Sequence, residues 1–171
     1  MKKSVQFLLL FLMCISASWT WASDAPERTV LFNMGDYDSQ YWRIPALVTA
    51  ADNSLVAVVD KRGSSLGDLP NTISIMSRRS TDNGKNWSEP VVVAQGGNGK
   101  TYGDPAVVLD KKTGNLICMF VGDQGLWNAT PYNRQGIYVS KSTDNGVSWS
   151  EPVAITDQVY ANHSGWYAGF A

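Results

Sequence analysis

One segment of eleven residues occurs twice in this chain with only two changes, as Ser80-Thr81-Asp82-Asn83-Gly84-Lys85-Asn86-Trp87-Ser88-Glu89-Pro90 and as Ser142-Thr143-Asp144-Asn145-Gly146-Val147-Ser148-Trp149-Ser150-Glu151-Pro152, the copies starting 62 residues apart. A repeat at that interval marks stacked supersecondary units, none of which can bury its apolar face alone. The surrounding sequence repeats more loosely. Ile44-Pro45-Ala46-Leu47-Val48 corresponds to Asp104-Pro105-Ala106-Val107-Val108, and a second apolar run follows each after a turn, at 55–59 and 116–121. Short β-branched runs separated by turn residues read as hairpins. Third runs at 72–77 and 136–141 alternate polar and apolar residues as half-buried strands do, and fourth runs at 90–93 and 152–155 close each unit. Four antiparallel strands per unit of about sixty residues describe a propeller blade, so the chain is predicted to be all-β.

The duplicated motif has a structural rationale. Asp82 and Asp144 can accept hydrogen bonds from backbone amides two or three residues on, as Asx turns do. Gly84 and Gly146 supply positive φ. Trp87 and Trp149 can then fold back and bury a large apolar face between neighbouring blades. Folding accounts for every residue of the motif, so chemistry is sought elsewhere.

The first residues are read separately. Lys2 and Lys3 precede an apolar run at 7–15, and Thr20-Trp21-Ala22 offers a small-residue cleavage site. Residues 1–22 read as a secretory signal peptide, too short for a stable membrane span, with cleavage after Ala22, or after Ala17 as the alternative. Cys14 follows the large Met13, where lipid attachment prefers a small residue. The expected mature chain, 23–171, retains Cys118 as its only thiol, which excludes an internal disulfide framework. Cys118 lies in the apolar run 116–121 and reads as a buried strand residue. Export would place the protein in a periplasm, at the cell surface or outside the cell. A net charge of −1 provides no basic field for nucleic acid. Seven Trp and seven Tyr, with only 17% charged residues, fit a β-rich fold that uses aromatic surfaces for binding.

The informative residues are those that one unit has and the other lacks. Tyr41-Trp42-Arg43-Ile44-Pro45 opens the first unit, where the second has Gly103-Asp104-Pro105. A charge entering an apolar strand is costly to bury without a partner. The first strand of a blade lines the central channel, so Arg43 is expected to face it, either gripping a carboxylate ligand with two parallel bonds or paired with a nearby Asp. The stretch Lys61-Arg62-Gly63-Ser64-Ser65-Leu66-Gly67-Asp68-Leu69-Pro70 is longer than a hairpin needs, and such loops carry function on rigid scaffolds. Asp68 stands 25 residues after Arg43. It is either a turn aspartate or a general acid whose pKa a covering loop would raise by desolvation. Asp104 is either a strand-start residue bonded to backbone or a ligand contact. His163 has neither a metal-ligand partner nor a serine-elbow motif nearby and reads as a loop residue.

Ser-x-Asp-x-Gly-x-x-Trp resembles the Asp-box of sialidases and related bacterial neuraminidase repeat proteins, which place it at the turn between strands 3 and 4. Asp-boxes also occur in other propellers, but Tyr41-Trp42-Arg43-Ile44-Pro45 is similar to the Phe/Tyr-Arg-Ile-Pro motif of sialidases. The resemblance covers nearly all of the chain after the signal. It implies a six-bladed propeller, of which this chain holds about two blades and the start of a third at 165–171. It implies no cofactor and sialylated glycans as substrates. Arg43 takes the place of the first of three arginines that hold the sialic acid carboxylate, and Asp68 that of the acid/base. Arg62 matches a substrate-pocket arginine, and Asp104 an aspartate that binds a sugar hydroxyl. The 123–134 segment is similar to the region that forms the acyl-group pocket. It carries Trp127 and Tyr132, and Trp127 is taken as the candidate. The family's nucleophilic tyrosine, its glutamate and two further arginines find no match here. The implied function is that of an exo-α-sialidase. A non-catalytic Asp-box propeller that binds glycans or proteins, and a trans-sialidase, are the alternatives.

Overall fold

The computed structural model describes residues 28–169 apart from 64, 162 and 164. Residues 1–22, expected to be a signal segment, and Cys14 among them, lie outside the described residues. Two four-stranded antiparallel sheets follow one another, in the strand orders β1-β2-β3-β4 and β5-β6-β7-β8. The first holds β1 (Trp42–Thr49), β2 (Leu55–Lys61), β3 (Ser74–Ser80) and β4 (Val91–Ala94). The second holds β5 (Tyr102–Leu109), β6 (Leu116–Asp123), β7 (Gln135–Ser142) and β8 (Val153–Ala154). Each sheet is a meander of the predicted blade type, and β1 lies beside β5.

Both first strands carry a bulge at the same place. The β1–β2 register shifts between Arg43 and Ala46, and the β5–β6 register between Gly103 and Ala106. Ile44 and Asp104 take positive φ there, 52° and 56°. The bulge explains how Ile44-Pro45 and Asp104-Pro105 can sit in paired strands, since proline gives no ladder donor. It also re-aims the side chains beside it, as bulges at functional edges do.

The core lies between the sheets. Val56, Val58, Ile75 and Val93 of the first pack against Tyr102, Leu116, Cys118 and Phe120 of the second. Cys118 is fully buried, and desolvation pushes its thiol up to about 12, so it is an inert core residue as its run suggested. A second cluster joins Leu69 and Ile73 to Val121, Ile137 and Tyr160. It anchors the loop after β2 onto the second sheet.

The structure departs from the sequence reading in three places. Two short helices, α1 (Gly125–Asn128) and α2 (Thr156–Tyr160), were not anticipated. The third strand of the first blade starts at Ser74, because Ile73 pairs instead across the blades: its amide donates to Thr101 Oγ1 (3.2 Å) and its carbonyl accepts from the Tyr102 amide (3.1 Å). The expected opening strand of a third blade is not formed over residues 165–169. That segment instead accepts a hydrogen bond at the Tyr167 carbonyl from the Gln135 amide (2.8 Å). A first strand owes its ladder to its own second strand, as β1 does to β2, and among the described residues no strand pairs with 165–169.

Candidate active site

The site is built where the two blades meet. Arg43 projects from the bulged start of β1, and its side chain is 42% exposed. Its Nη1 donates to the Leu66 carbonyl (3.2 Å) and to Asp68 Oδ1 (3.3 Å). Asp68 sits on the loop after β2, which is tied down by Asn71, whose amide and Nδ2 both donate to the Asp68 carbonyl (3.1 and 2.8 Å).

Arg62 organises this loop from inside. Its side chain is 1% exposed. Nε and Nη2 donate to Asp60 Oδ2 at 3.1 and 2.7 Å. Nη1 donates to the Leu66 and Gly67 carbonyls at 3.1 and 3.2 Å and to Asp68 Oδ1 at 2.5 Å. Burial opposes the Arg62 charge, but the hydrogen bonds and charges of Asp68 and Asp60 outweigh it and hold the guanidinium above its ordinary range. Arg62 was expected to line a substrate pocket. It lies instead beneath the loop with its donors taken up by the protein.

Asp68 therefore has one oxygen gripped by two guanidinium groups. Its side chain is 57% exposed, so the loop does not cover it as the desolvation argument required. Arg62 holds the Leu66 and Gly67 carbonyls and one Asp68 oxygen, and Asn71 holds the Asp68 carbonyl, while the rest of the carboxylate stays exposed.

Asp104 occupies the β5 bulge and reaches the same group from the second blade. Its Oδ1 is 3.9 Å from Arg62 Nη2, and its amide donates to Asp60 Oδ1 (3.1 Å). Partial burial raises the Asp104 carboxyl above its ordinary value, with Arg62 opposing and the Asp68 charge adding to the rise. The Asp104 backbone is thus bonded by the Asp60 side chain, and its own side chain faces a cavity. Asp68, Leu69, Asp104, Leu126, Trp127 and Gln135 line that cavity, of about 200 Å³. Trp127 is 83% exposed on α1, and Gly125 brings that helix onto the loop: a Cβ there would lie 2.6 Å from Leu69 Cβ. Tyr132 is fully exposed and outside this cavity. The structure thus joins Asp68, Asp104 and Trp127 around one space, with Arg43 at its edge through Asp68.

Asp60 escaped the sequence reading. It is fully buried at the end of an apolar strand, and desolvation pushes its carboxyl upward while the Arg62 hydrogen bonds pull against it. The argument that singled out Arg43, a charge entering an apolar run, applies equally to Asp60 after Leu55-Val56-Ala57-Val58-Val59. His163 stacks on Trp166 with ring centroids 4.3 Å apart. Among the described residues no group of three His, Cys, Asp or Glu could hold a metal ion.

A family model described as a BNR repeat-like domain matches residues 44–170. The sialidase of Bacteroides fragilis (strain YCH46) is 34% identical over 152 residues, which cover 78% of this chain and 27% of that protein. The sialidase of Micromonospora viridifaciens is 34% identical over 142 residues, covering 76% of this chain and 21% of its own length. Among solved structures, the Hadza microbial sialidase Hz136 superposes with a TM-score of 0.65 at 32% identity, over 73% of this chain and 28% of that one. The chain thus spans about a quarter of the length of these relatives. With the repeat model covering most of the chain and sialidases matching the same stretch, this chain belongs to the BNR-repeat family of sialidases.

Proposed function

We propose that this chain is the early part of the catalytic propeller of an exo-α-sialidase, a glycoside hydrolase that removes terminal sialic acid from glycoproteins, glycolipids and oligosaccharides with retention. The observation that carries the reading is Asp68: an outward-facing carboxylate with one oxygen held by Arg43 and Arg62, beside a cavity that Asp104 and Trp127 share. Arg43 is the exposed cation of the set and is suited to a substrate carboxylate. When that carboxylate takes Arg43, it displaces one of the two guanidinium groups from Asp68. Asp68 then gives the proton to the glycosidic oxygen as the bond to the anomeric carbon breaks.

Asp104 would accept from a sugar hydroxyl, and Trp127 would flank the acyl group across the cavity. The anomeric carbon of sialic acid carries a carboxylate that repels an acidic nucleophile, so a tyrosine activated by a glutamate would attack instead. That pair and two further arginines would come from the remainder of the protein, and the residues described here would not hydrolyse sialosides alone. Arg62 acts by shaping the loop. The signal-like 1–22 segment would direct export, and N-terminal sequencing of the secreted protein should then begin at Ser23.

The full-length protein tests this on a fluorogenic sialoside. Release of free sialic acid is expected, with Asp68→Ala lowering kcat by about 10²- to 10⁴-fold and Arg43→Ala raising KM. Transfer of sialic acid to an added sugar, with no free acid formed, would make the protein a trans-sialidase. Absence of any turnover, or unchanged kinetics in both variants, would overturn the reading.

A further inference from the structure

We propose that Asp60 is a positioning residue for the acid/base group, holding Arg62 and the Asp104 backbone so that a single amino group of Arg62 meets Asp68. This rests on the sialidase reading for its catalytic consequence, and on geometry alone for its structural part. Both Asp60 oxygens are committed. Oδ2 accepts from Arg62 Nε (3.1 Å) and Nη2 (2.7 Å), and Oδ1 accepts from the Asp104 amide (3.1 Å). A Cβ on Gly103 would lie 3.5 Å from Asp60 Oδ2 and 3.8 Å from both Ile73 Cδ1 and Leu69 Cγ, so the β5 backbone runs close to the Asp60 carboxylate. One buried carboxylate therefore joins the end of β2 to the bulge of β5, and it fixes the side of Arg62 that does not face Asp68.

The arrangement has an electrostatic consequence. The charged groups about Asp60 are Arg62 from its own chain end and Asp104 from β5, with Asp68 and Arg43 beyond Arg62. Arg62 bonds Asp68 directly, so its charge bears on the group that is to act as the acid. The Asp60 carboxylate faces the same guanidinium from the other side and offsets its charge. Once a substrate draws Arg43 away, Arg62, with its charge shared between Asp60 and Asp68, is the cation that remains on Asp68.

Asp60→Asn separates these effects from shape. Asn has one acceptor oxygen, so it can serve Arg62 or the Asp104 amide but not both. In the full-length protein this substitution is expected to lower kcat/KM by about 10- to 100-fold, the scale of a small misplacement of catalytic groups. The basic limb of the kcat pH profile, which reports the acid in the substrate complex, should move to lower pH. Loss of folded protein alone would scale the profile without moving it, so an unmoved limb overturns the proposal. Arg62→Lys keeps the buried charge, but a lone ammonium cannot span Asp60 and Asp68. It should reproduce the loss and remains informative if Asp60→Asn does not fold; unchanged kinetics in it would count against the proposal. If the unaltered protein hydrolyses no sialoside, the sialidase reading fails by itself. Crystal structures of the Arg62→Lys variant and, where it folds, of Asp60→Asn then decide the positioning claim. Displacement of the Asp68 loop or of the Asp104 bulge supports it, and both in their original places overturn it.

Discussion

Arg43 and Asp68 form an ion pair across the mouth of the site, each more than a third exposed, with 3.3 Å between Nη1 and Oδ1. Exposed pairs of this kind contribute little to stability, so the geometry matters for binding more than for folding. Arg43→Lys tests this. Lysine keeps the charge but offers no planar fork, so one charge-assisted hydrogen bond to the substrate carboxylate is lost, about 1.5–3 kcal/mol. KM should rise by roughly 10- to 100-fold while the melting temperature stays within a degree or so; an unchanged KM in steady-state kinetics would remove Arg43 from the carboxylate site. Arg43 and Asp68 stood out because each interrupts a pattern, a charge in an apolar strand and a loop longer than its hairpin, whereas Trp127 came only from the family resemblance. The division of labour between the arginines was not legible. Arg62 lies in the same polar loop as Asp68, and only the fold shows that its guanidinium turns inward to Asp60 while Arg43 stays at the surface.

At the scale of the element, the repeated turn closes through serine as much as through aspartate. In the first copy Ser80 Oγ accepts from the Gly84 amide (2.9 Å) and donates to Asp82 Oδ1 (2.8 Å). Asp82 Oδ1 then accepts from the Asn86 amide (2.9 Å), four residues on. Ser142, Asp144 and Ser148 repeat the scheme. The sequence reading expected the aspartate to take an amide two or three residues on. The serine hydroxyl holds the amide two residues past the aspartate, and Asp82 is bonded mainly by the Asn86 amide, four residues on, and also by that of Lys85, three residues on. Asn83-Gly84 and Asn145-Gly146 each take two successive positive φ angles, as a type I′ hairpin turn requires. The backbone bond from Asn86, with its side-chain amide and Ser80, holds the Asp82 carboxyl down at about 2, below its ordinary 3.8. A carboxyl depressed in the folded state contributes stability above its unfolded value and loses it as pH falls through the folded one. Melting temperature should therefore fall between about pH 4 and pH 2, and this acid-dependent fall should be smaller in Asp82→Asn. An equal slope in both proteins would show that the Asp82 turn carries none of it.

Over the whole molecule, the two copies of the turn have different neighbours among the described residues. Trp149 Nε1 donates to Ser77 Oγ on β3 (2.9 Å), and Arg79 Nε donates to the Asn145 carbonyl (3.0 Å), so the second turn is bonded to the first sheet. Trp87 Nε1 stays within its own turn, on the Gly84 carbonyl (2.9 Å). The repeat made blade number and length legible, but identical motifs cannot reveal which copy is an interface; that depends on what lies beside each. The glycines offer a direct comparison. Both sit at positive φ, 86° at Gly84 and 87° at Gly146, so alanine at either bears a left-handed penalty of about 1–2 kcal/mol. A Cβ at Gly84 meets Leu55 Cδ1 at 3.7 Å, an ordinary contact, whereas at Gly146 it meets Val56 Cγ2 at 2.7 Å. Val56 is fully buried in the inter-sheet core and has no room to withdraw, so overpacking adds about 1–3 kcal/mol there. Gly146→Ala should lower the urea midpoint more than Gly84→Ala at an unchanged slope, and Gly146→Ala should spare the Asp68 group, which lies at the other end of β2 from Val56. Equal midpoints for the two variants would mean that the blades are not locked together through the second turn.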